Sequence, residues 1–311
     1  MGSFIARRLL SALFVLFSLT FITFMVGHLA PGDPILILMG PHQDPTTYAR
    51  LRHEYGLDKP LWAQYLSYIW GLLHGDLGLS YRYEGRSVWD LIKSGVPVSF
   101  RVGGLGLVLG LMIGIPLGVI AAIKHNSVVD RSIVFLTLAF YAVPSFVLIP
   151  IAWEIIRFMN SAGLPTLPVA GWGTWQHYVL PVVILAAANI GYITRLTRNS
   201  MLEVLTQDYV RTARSKGLPR RLVIWRHAFR NAMLPLVTVI GPSVAFLITG
   251  AFVVENLLNV PGIAFLTVQS IQQRDYAVIQ GTTILLGVAV VIMNLLTDMA
   301  YMILDPRIRV S

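Results

Sequence analysis

Charged residues are scarce in this chain, and cysteine is absent. Asp, Glu, Lys and Arg make up 13% of its 311 residues, whereas hydrophobic residues make up 55% and mean hydropathy is +0.68. Because soluble proteins carry about 25% charged residues, a soluble enzyme, a disordered chain and a nucleic-acid-binding module all fit poorly, despite a net charge of +9. The lack of cysteine excludes disulfides, cysteine metal sites and cysteine nucleophiles. We therefore expect an integral membrane protein.

Long apolar runs are present instead. A bilayer-spanning helix needs about 20 mostly apolar residues, and six stretches are predicted to be spans: Leu9–Gly27, Val102–Ile123, Ser132–Trp153, Tyr178–Thr194, Leu234–Val254 and Ala277–Thr297. Their apolar character is continuous rather than alternating, which argues against a β-barrel. The fourth stretch is short, and Pro144 and Pro150 interrupt the third. The predicted fold class is an all-α integral membrane protein with six transmembrane helices.

Basic residues set the expected orientation. If the N-terminus is cytoplasmic, 15 of the 24 Lys and Arg residues fall in cytoplasmic segments, in agreement with the positive-inside rule. Both termini are then cytoplasmic. The first apolar run exceeds a signal-peptide core of 7–15 residues, so we expect a retained helix.

The spans predict four regions. Residues 1–28 form an N-terminal transmembrane helix, 29–98 an extracytoplasmic scoop or lid, 99–303 a five-helix core, and 304–311 a cytoplasmic tail. The amphipathic stretch from Leu61 to Trp70 is interpreted either as a helical lid or as an interfacial helix without substrate contact.

The segment 195–233, between the fourth and fifth runs, is the most informative part of the chain. It holds nine basic residues against Glu203 and Asp208. Such a loop could simply set topology and contact anionic lipids. However, 208–214 reads as a short helix that ends at Gly217, where glycine suits a left-handed cap, and Pro219 prevents its continuation. A second amphipathic piece follows from Leu222 to Phe229.

These residues carry a resemblance to a known family. Two motifs, Asp208-Tyr209-Val210-Arg211-Thr212-Ala213-Arg214-Ser215-Lys216-Gly217-Leu218 and Arg226-His227-Ala228-Phe229-Arg230-Asn231-Ala232-Met233-Leu234-Pro235, resemble the coupling loop of ABC importer permeases of the oligopeptide/dipeptide class. Further motifs that resemble this family occur in order along nearly the whole chain: Pro31-Gly32-Asp33-Pro34, Gly75-Asp76-Leu77-Gly78, Gly114-Ile115-Pro116-Leu117-Gly118, Arg274-Asp275-Tyr276 and Asp305-Pro306-Arg307-Ile308-Arg309.

The match departs from the general importer signature in ways that point to a subclass. That signature begins Glu-Ala-Ala, whereas this chain has Arg211-Thr212-Ala213, and its Leu-Pro lies farther beyond the glycine. Both features are similar to the peptide subclass, and they count against a sugar or amino-acid importer.

The resemblance implies the type I permease fold, a second homologous permease subunit, two cytoplasmic ATPase subunits and an extracytoplasmic peptide-binding protein. ATP and Mg are expected on the ATPases, because the chain has no Gly-x-x-x-x-Gly-Lys-Ser/Thr phosphate loop. No cofactor, metal site or catalytic residue is expected on this chain, nor nucleic acid, and membrane lipids are expected partners. The implied ATPase-coupling residues are Asp208, Tyr209, Arg211, Thr212, Ala213, Arg214 and Gly217.

Several readings stay open. The same machinery could import dipeptides, nickel or glutathione rather than oligopeptides. A proton-driven secondary transporter is the alternative of a different class, although the chain shows no series of intramembrane carboxylates or histidines for a proton relay. Substrate-contacting residues cannot be selected from the sequence.

Overall fold

A computed structural model describes residues 2–29, 32–39, 44–237 and 252–304. The helices bounded in these ranges are α1 (Gly2–Leu29), α2 (Pro34–Met39), α3 (Pro45–Glu54), α4 (Leu61–Leu73), α5 (Val88–Ile123), α6 (Val128–Ala142), α7 (Ser145–Ser161), α8 (Gln176–Leu205), α9 (Asp208–Ser215), α10 (Arg220–Leu222), a π-helical segment (Val223–Phe229), α11 (Arg230–Ala232), α12 (Ile263–Gln273) and α13 (Tyr276–Leu304). Residues 252–257 are also helical. The chain forms two compact units, one of Met1–Ser99 with Pro261–Ile292 and the other of Phe100–Val260 with Met293–Arg309.

In the first unit, α4 packs against α1 through aromatic and polar contacts. The Tyr65 ring meets the Phe21 ring edge-on with centroids 5.7 Å apart, and its hydroxyl lies 3.1 Å from Thr20 Oγ1. Gln64 Oε1 lies 2.9 Å from His28 Nε2. The opposite face of α4, which includes Trp62 and Leu66, stays exposed. The structure therefore confirms a helix here, with large apolar side chains on its exposed face, and its role as a lid stays a prediction.

Asp275 ties the loop before α5 to the start of α13. This carboxylate, 2% exposed, accepts hydrogen bonds from the Ser80 hydroxyl and from the Tyr81 amide at 3.1 Å. Burial, and then the nearby Asp275 charge, raise the pKa of the Tyr81 phenol to about 12. A tyrosine phenol is neutral at physiological pH even at its ordinary pKa of about 10, so Tyr81 adds no negative charge beside Asp275.

In the second unit, α5 and α8 approach closely along a row of glycines. An added Cβ on Gly106, Gly110, Gly114 or Gly118 would meet Leu185, Asn189, Ile193 or Thr197 respectively, each at 3.0 Å or less. Both sets recur every four residues and so lie on one face of each helix. Small residues at this spacing allow helix backbones to approach within a membrane, and the contact holds α8 in a fixed register against α5.

The third predicted span is not one straight helix, which corrects the sequence-based prediction. α6 ends at Ala142, α7 begins at Ser145, and the two helices meet at 104°. Val143 and Pro144 have extended backbones with ψ of 117° and 146°. The cause is local, because proline lacks an amide hydrogen and disfavours helical geometry in the preceding residue.

By length and composition, four helices in the described ranges could each cross a membrane: α1, α5, α8 and α13. The bent pair α6–α7 brings the number to five if it counts as one span. The fifth predicted run, Leu234–Val254, lies largely outside the described residues, so the predicted total of six stays a prediction. The fourth run is longer than predicted, because α8 continues past Thr194 to Leu205. The connecting segment thus begins at Thr206 rather than at Arg195.

Candidate coupling site at helix α9

The end of α9 is fixed by a glycine-centred cap. Gly217 has φ of +70°, its amide donates to the Arg214 carbonyl at 3.0 Å, and the Leu218 amide donates to the Ala213 carbonyl at 3.4 Å. This pair of bonds is the Schellman motif, which favours glycine at the left-handed position. The prediction of a short helix with a left-handed cap at Gly217 is confirmed.

One face of α9 is buried. Val210 is fully buried and Ala213 is 6% exposed, and both pack with Val223 of the π-helical segment. Val204, Leu205 and Leu218 flank this cluster. α9 is therefore seated on the end of α8 and on the π-helical segment by apolar contacts.

Burial revises the role expected for Ala213. The family resemblance implied that Ala213 is one of the ATPase-coupling residues. In the structure its side chain faces Val210 and Val223, so it seats α9 rather than forming its outer surface.

The outer surface of α9 is polar. Its exposed predicted residues are Asp208, Tyr209, Arg211, Thr212, Arg214 and Gly217. Asp208 lies in the first turn, where a negative charge interacts favourably with the helix dipole, and it forms an exposed ion pair of 3.5 Å with Arg211. We name Asp208, Tyr209, Arg211 and Thr212 the contact face.

A hydrogen bond that the sequence gave no reason to expect joins the contact face to the end of the connecting segment. Asn231 Nδ2 donates to Tyr209 Oη at 2.8 Å. The two residues are 22 positions apart and lie on opposite sides of the π-helical segment in the chain. α9 is therefore connected to the residues before Leu234 in two ways. One is this hydrogen bond, and the other is the apolar cluster that α9 forms with Val223.

The π-helical segment lies between Tyr209 and Asn231 in the chain. π-helices are rare and frequently occur at functional sites. Its Ile224 and Ala228 belong to a buried cluster with Val119 and Ala122 of α5 and Met201 of α8. The segment thus contacts α5, α8 and α9. The sequence predicted an amphipathic piece here, but it did not predict the π-helical hydrogen bonds, which join residues five apart.

A second unpredicted contact joins α8 to α6. Arg198 of α8 pairs with the buried carboxylate of Asp130 in the first turn of α6. The charges of both residues are visible in the sequence, but their pairing depends on the packing of the two helices. Within the described ranges, no group of three or more His, Asp or Glu side chains is placed to hold a metal ion.

The helical fold, with several helices long and apolar enough to cross a membrane, defines a class of protein, a multi-pass membrane protein. Comparisons with solved structures identify the fold. The chain is similar to a chain of the inward-facing MetNI methionine ABC transporter, with a TM-score of 0.56 at 17% identity, covering 69% of this chain and 96% of that one. An amino acid ABC transporter crystallised with histidines gives a TM-score of 0.51 at 14% identity, covering 70% and 94%. These likenesses concern the fold, which is the type I ABC importer permease fold.

The family follows from sequence. Residues 114–310 match the model of the binding-protein-dependent transport system inner membrane component, and 1–102 match the N-terminal model of such membrane components. The chain belongs to this family of inner-membrane transport proteins. It is 38% identical to the dipeptide transport system permease protein DppB of Escherichia coli strain K12, over 99% of both chains. It is 39% identical to the oligopeptide transport system permease protein OppB of the same strain, over 99% of this chain and 100% of that one.

Proposed function

We propose that this chain is the membrane-spanning subunit of an ATP-driven ABC importer for peptides, with oligopeptides as the substrate class. The observation that carries the proposal is α9, a short capped helix that presents a polar contact face and is seated on the end of a long apolar helix. The relatives over the full chain length are named for dipeptide and oligopeptide transport, so dipeptides are the nearest alternative. Nickel and glutathione are further candidate substrates.

The proposed mechanism is mechanical. The contact face sits in a groove of a cytoplasmic ATPase subunit, and closure of the ATPase pair moves α9. The cluster of Val210, Ala213 and Val223 passes this movement to the end of α8, and the bond between Tyr209 and Asn231 passes it to the residues before Leu234. Such contacts perform no bond chemistry and instead bias an equilibrium between two conformations.

The partners and topology complete the proposal. The importer contains a second homologous permease that forms a heterodimer with this chain, two ATPases and an extracytoplasmic peptide-binding protein. ATP and Mg bind to the ATPases, and this chain has no catalytic role. The chain lies in the cytoplasmic membrane of a prokaryote with both termini in the cytoplasm. Residues 29–98 then lie outside, and α9 faces the ATPases.

Reconstituted uptake tests this function. Proteoliposomes containing this chain, the second permease, both ATPases and the peptide-loaded binding protein should accumulate labelled peptide only with ATP on the ATPase side. A protonophore should leave the rate unchanged, and a series of peptide lengths should identify the substrate class. Uptake by this chain alone that a protonophore abolishes would instead establish a proton-driven secondary transporter.

A further inference from the structure

A cavity of about 480 Å³ lies behind α9, between α9 and the ends of α5 and α8. Its walls are apolar at Ala122 and Ile123 of α5, Leu205 of α8 and Val223 of the π-helical segment. Two arginines, Arg214 and Arg220, also line it, and both remain exposed to solvent. All of these residues belong to one compact unit. The cavity therefore combines a hydrocarbon surface with two positive charges.

Within the part of the chain that the structure describes, the positive charge of the cavity has no acidic counterpart: none of the lining residues there is Asp or Glu. Among the described residues, neither Arg214 nor Arg220 takes part in a salt bridge or a side-chain hydrogen bond, whereas neighbouring Arg211 pairs with Asp208. Guanidinium groups have fixed donor forks that match phosphate oxygens. The two free guanidinium groups therefore suit an anionic phosphate ligand.

The apolar wall narrows the choice of ligand. A free phosphate ion would satisfy the arginines but leave the wall formed by Ile123, Leu205 and Val223 without hydrocarbon cover. An anionic phospholipid supplies both parts, because its headgroup phosphate is joined to acyl chains. Basic pockets between transmembrane helices on the cytoplasmic side are known to bind such headgroups.

We propose that this cavity binds an anionic phospholipid of the cytoplasmic leaflet, with the headgroup phosphate between Arg214 and Arg220. The leaflet assignment rests on the topology given under the proposed function. A bound lipid would join α9 to the ends of α5 and α8 and so hold the contact face in place. Anionic lipid then acts as a regulator of coupling rather than as transported cargo.

Two adjacent arginines provide a matched test. Arg220 and Arg221 are both exposed, but only Arg220 lines the cavity. Arg220→Gln and Arg221→Gln each remove one positive charge from neighbouring positions. Arg220→Lys keeps the charge but loses the guanidinium fork. Each variant and the wild-type chain are purified in nanodiscs of phosphatidylcholine containing about one-third phosphatidylglycerol, and the phosphatidylglycerol retained per chain after detergent exchange is counted by mass spectrometry.

Specific retention should fall about tenfold for Arg220→Gln, fall less for Arg220→Lys, and stay at the wild-type level for Arg221→Gln. Equal losses in the two Gln variants would mean that only the overall charge of the segment attracts lipid, and would overturn the inference. An unchanged retention in Arg220→Gln combined with weaker binding of the ATPases would overturn it in favour of a protein contact.

Two further measurements are needed. One distinguishes bound lipid from soluble phosphate, and the other distinguishes the lipid site from the proposed import function. Titration with inorganic phosphate in pure phosphatidylcholine nanodiscs should give no binding that depends on Arg220; if it does, the site takes soluble phosphate and the lipid assignment is wrong. Retention is measured without ATP, peptide or partner subunits. A chain that retains lipid through Arg220 but supports no ATP-driven import would therefore refute the proposed function and leave the lipid site standing.

Discussion

Arg198 donates two parallel hydrogen bonds to Asp130, from Nε to Oδ1 at 2.7 Å and from Nη2 to Oδ2 at 2.9 Å. The Asn126 amide also donates to Asp130 Oδ2 at 2.9 Å, and the carboxylate side chain is only 3% exposed. Two turns earlier on α8, Gly191 lies against the Thr137 carbonyl of α6 so closely that no side chain fits. α6 and α8 are thus attached at two points, which fixes both their angle and their register.

Removal of one partner of this pair is expected to be costly. Arg198→Gln leaves the buried Asp130 carboxylate without its two charged hydrogen bonds and should lower the free energy of unfolding by about 3–5 kcal/mol. Thermal unfolding of the detergent-purified chain measures the effect. Arg157→Gln is the control, because the ion pair of Arg157 with Glu154 is exposed on both sides and should contribute less than about 1 kcal/mol. Equal shifts of the unfolding temperature in the two variants would show that the buried pair of Arg198 and Asp130 stabilises the protein no more than an exposed ion pair does.

Gly191→Ala should also destabilise the protein. The added methyl group would overlap the Thr137 carbonyl and Tyr141 Cβ, and relief of such overpacking costs about 1–3 kcal/mol. Gly104→Ala is the matched control on α5, since a Cβ there meets no atom within 4 Å and alanine is the better helix former by about 1 kcal/mol. The two variants should shift the unfolding temperature in opposite directions. A stabilising effect of Gly191→Ala would contradict the close approach of α6 and α8.

Gly217→Val should separate ATP hydrolysis from import. A β-branched residue strains the left-handed position after α9 by at least about 1–2 kcal/mol, enough to change a conformational equilibrium about 5–30-fold. The measurement is the amount of peptide imported per ATP hydrolysed in the reconstituted complex. Gly217→Asn should retain most coupling, because asparagine tolerates this conformation. Wild-type coupling in Gly217→Val would show that the cap does not position the contact face.

Tyr209→Phe removes only the hydroxyl that accepts the hydrogen bond from Asn231. We expect peptide import per ATP to fall while the assembled complex stays intact, because the polar connection between α9 and the residues before Leu234 is lost. A double-mutant cycle with Asn231→Ala should give an interaction energy of about 0.5–1.5 kcal/mol for this bond in unfolding experiments. Additive effects of the two substitutions would mean that the side chains do not interact in solution.

Asp275→Asn should loosen the loop before α5. The buried carboxylate accepts from Ser80 and from the Tyr81 amide, and loss of its charge weakens bonds that contribute about 1.5–3 kcal/mol when an ionised group takes part. Proteolysis between residues 74 and 88 should become faster. The exposed Asp90→Asn, which loses only a surface pair with Lys93, should leave the cleavage rate unchanged. If both variants are cut at the wild-type rate, Asp275 does not anchor this loop.

Local features of the sequence determined the positions of the long apolar helices and the end of α9. Runs of about 20 apolar residues mark spans because a bilayer offers no partners for backbone polar groups. Gly217 and Pro219 end α9 through constraints that act within a few residues. The family resemblance of 208–235 likewise follows from residue types in order along the chain.

The tertiary structure decided what depends on distant residues. The Ala213 side chain faces inward because α8 and the π-helical segment supply its apolar neighbours. The predicted fourth span ends at Thr194, yet α8 continues to Leu205, because the backbone hydrogen bonds of a helix do not require apolar side chains. Asp130 and Arg198 are 68 residues apart, and only helix packing brings them together. A linear sequence records residue types and local constraints, whereas burial and pairing depend on which surfaces meet after folding.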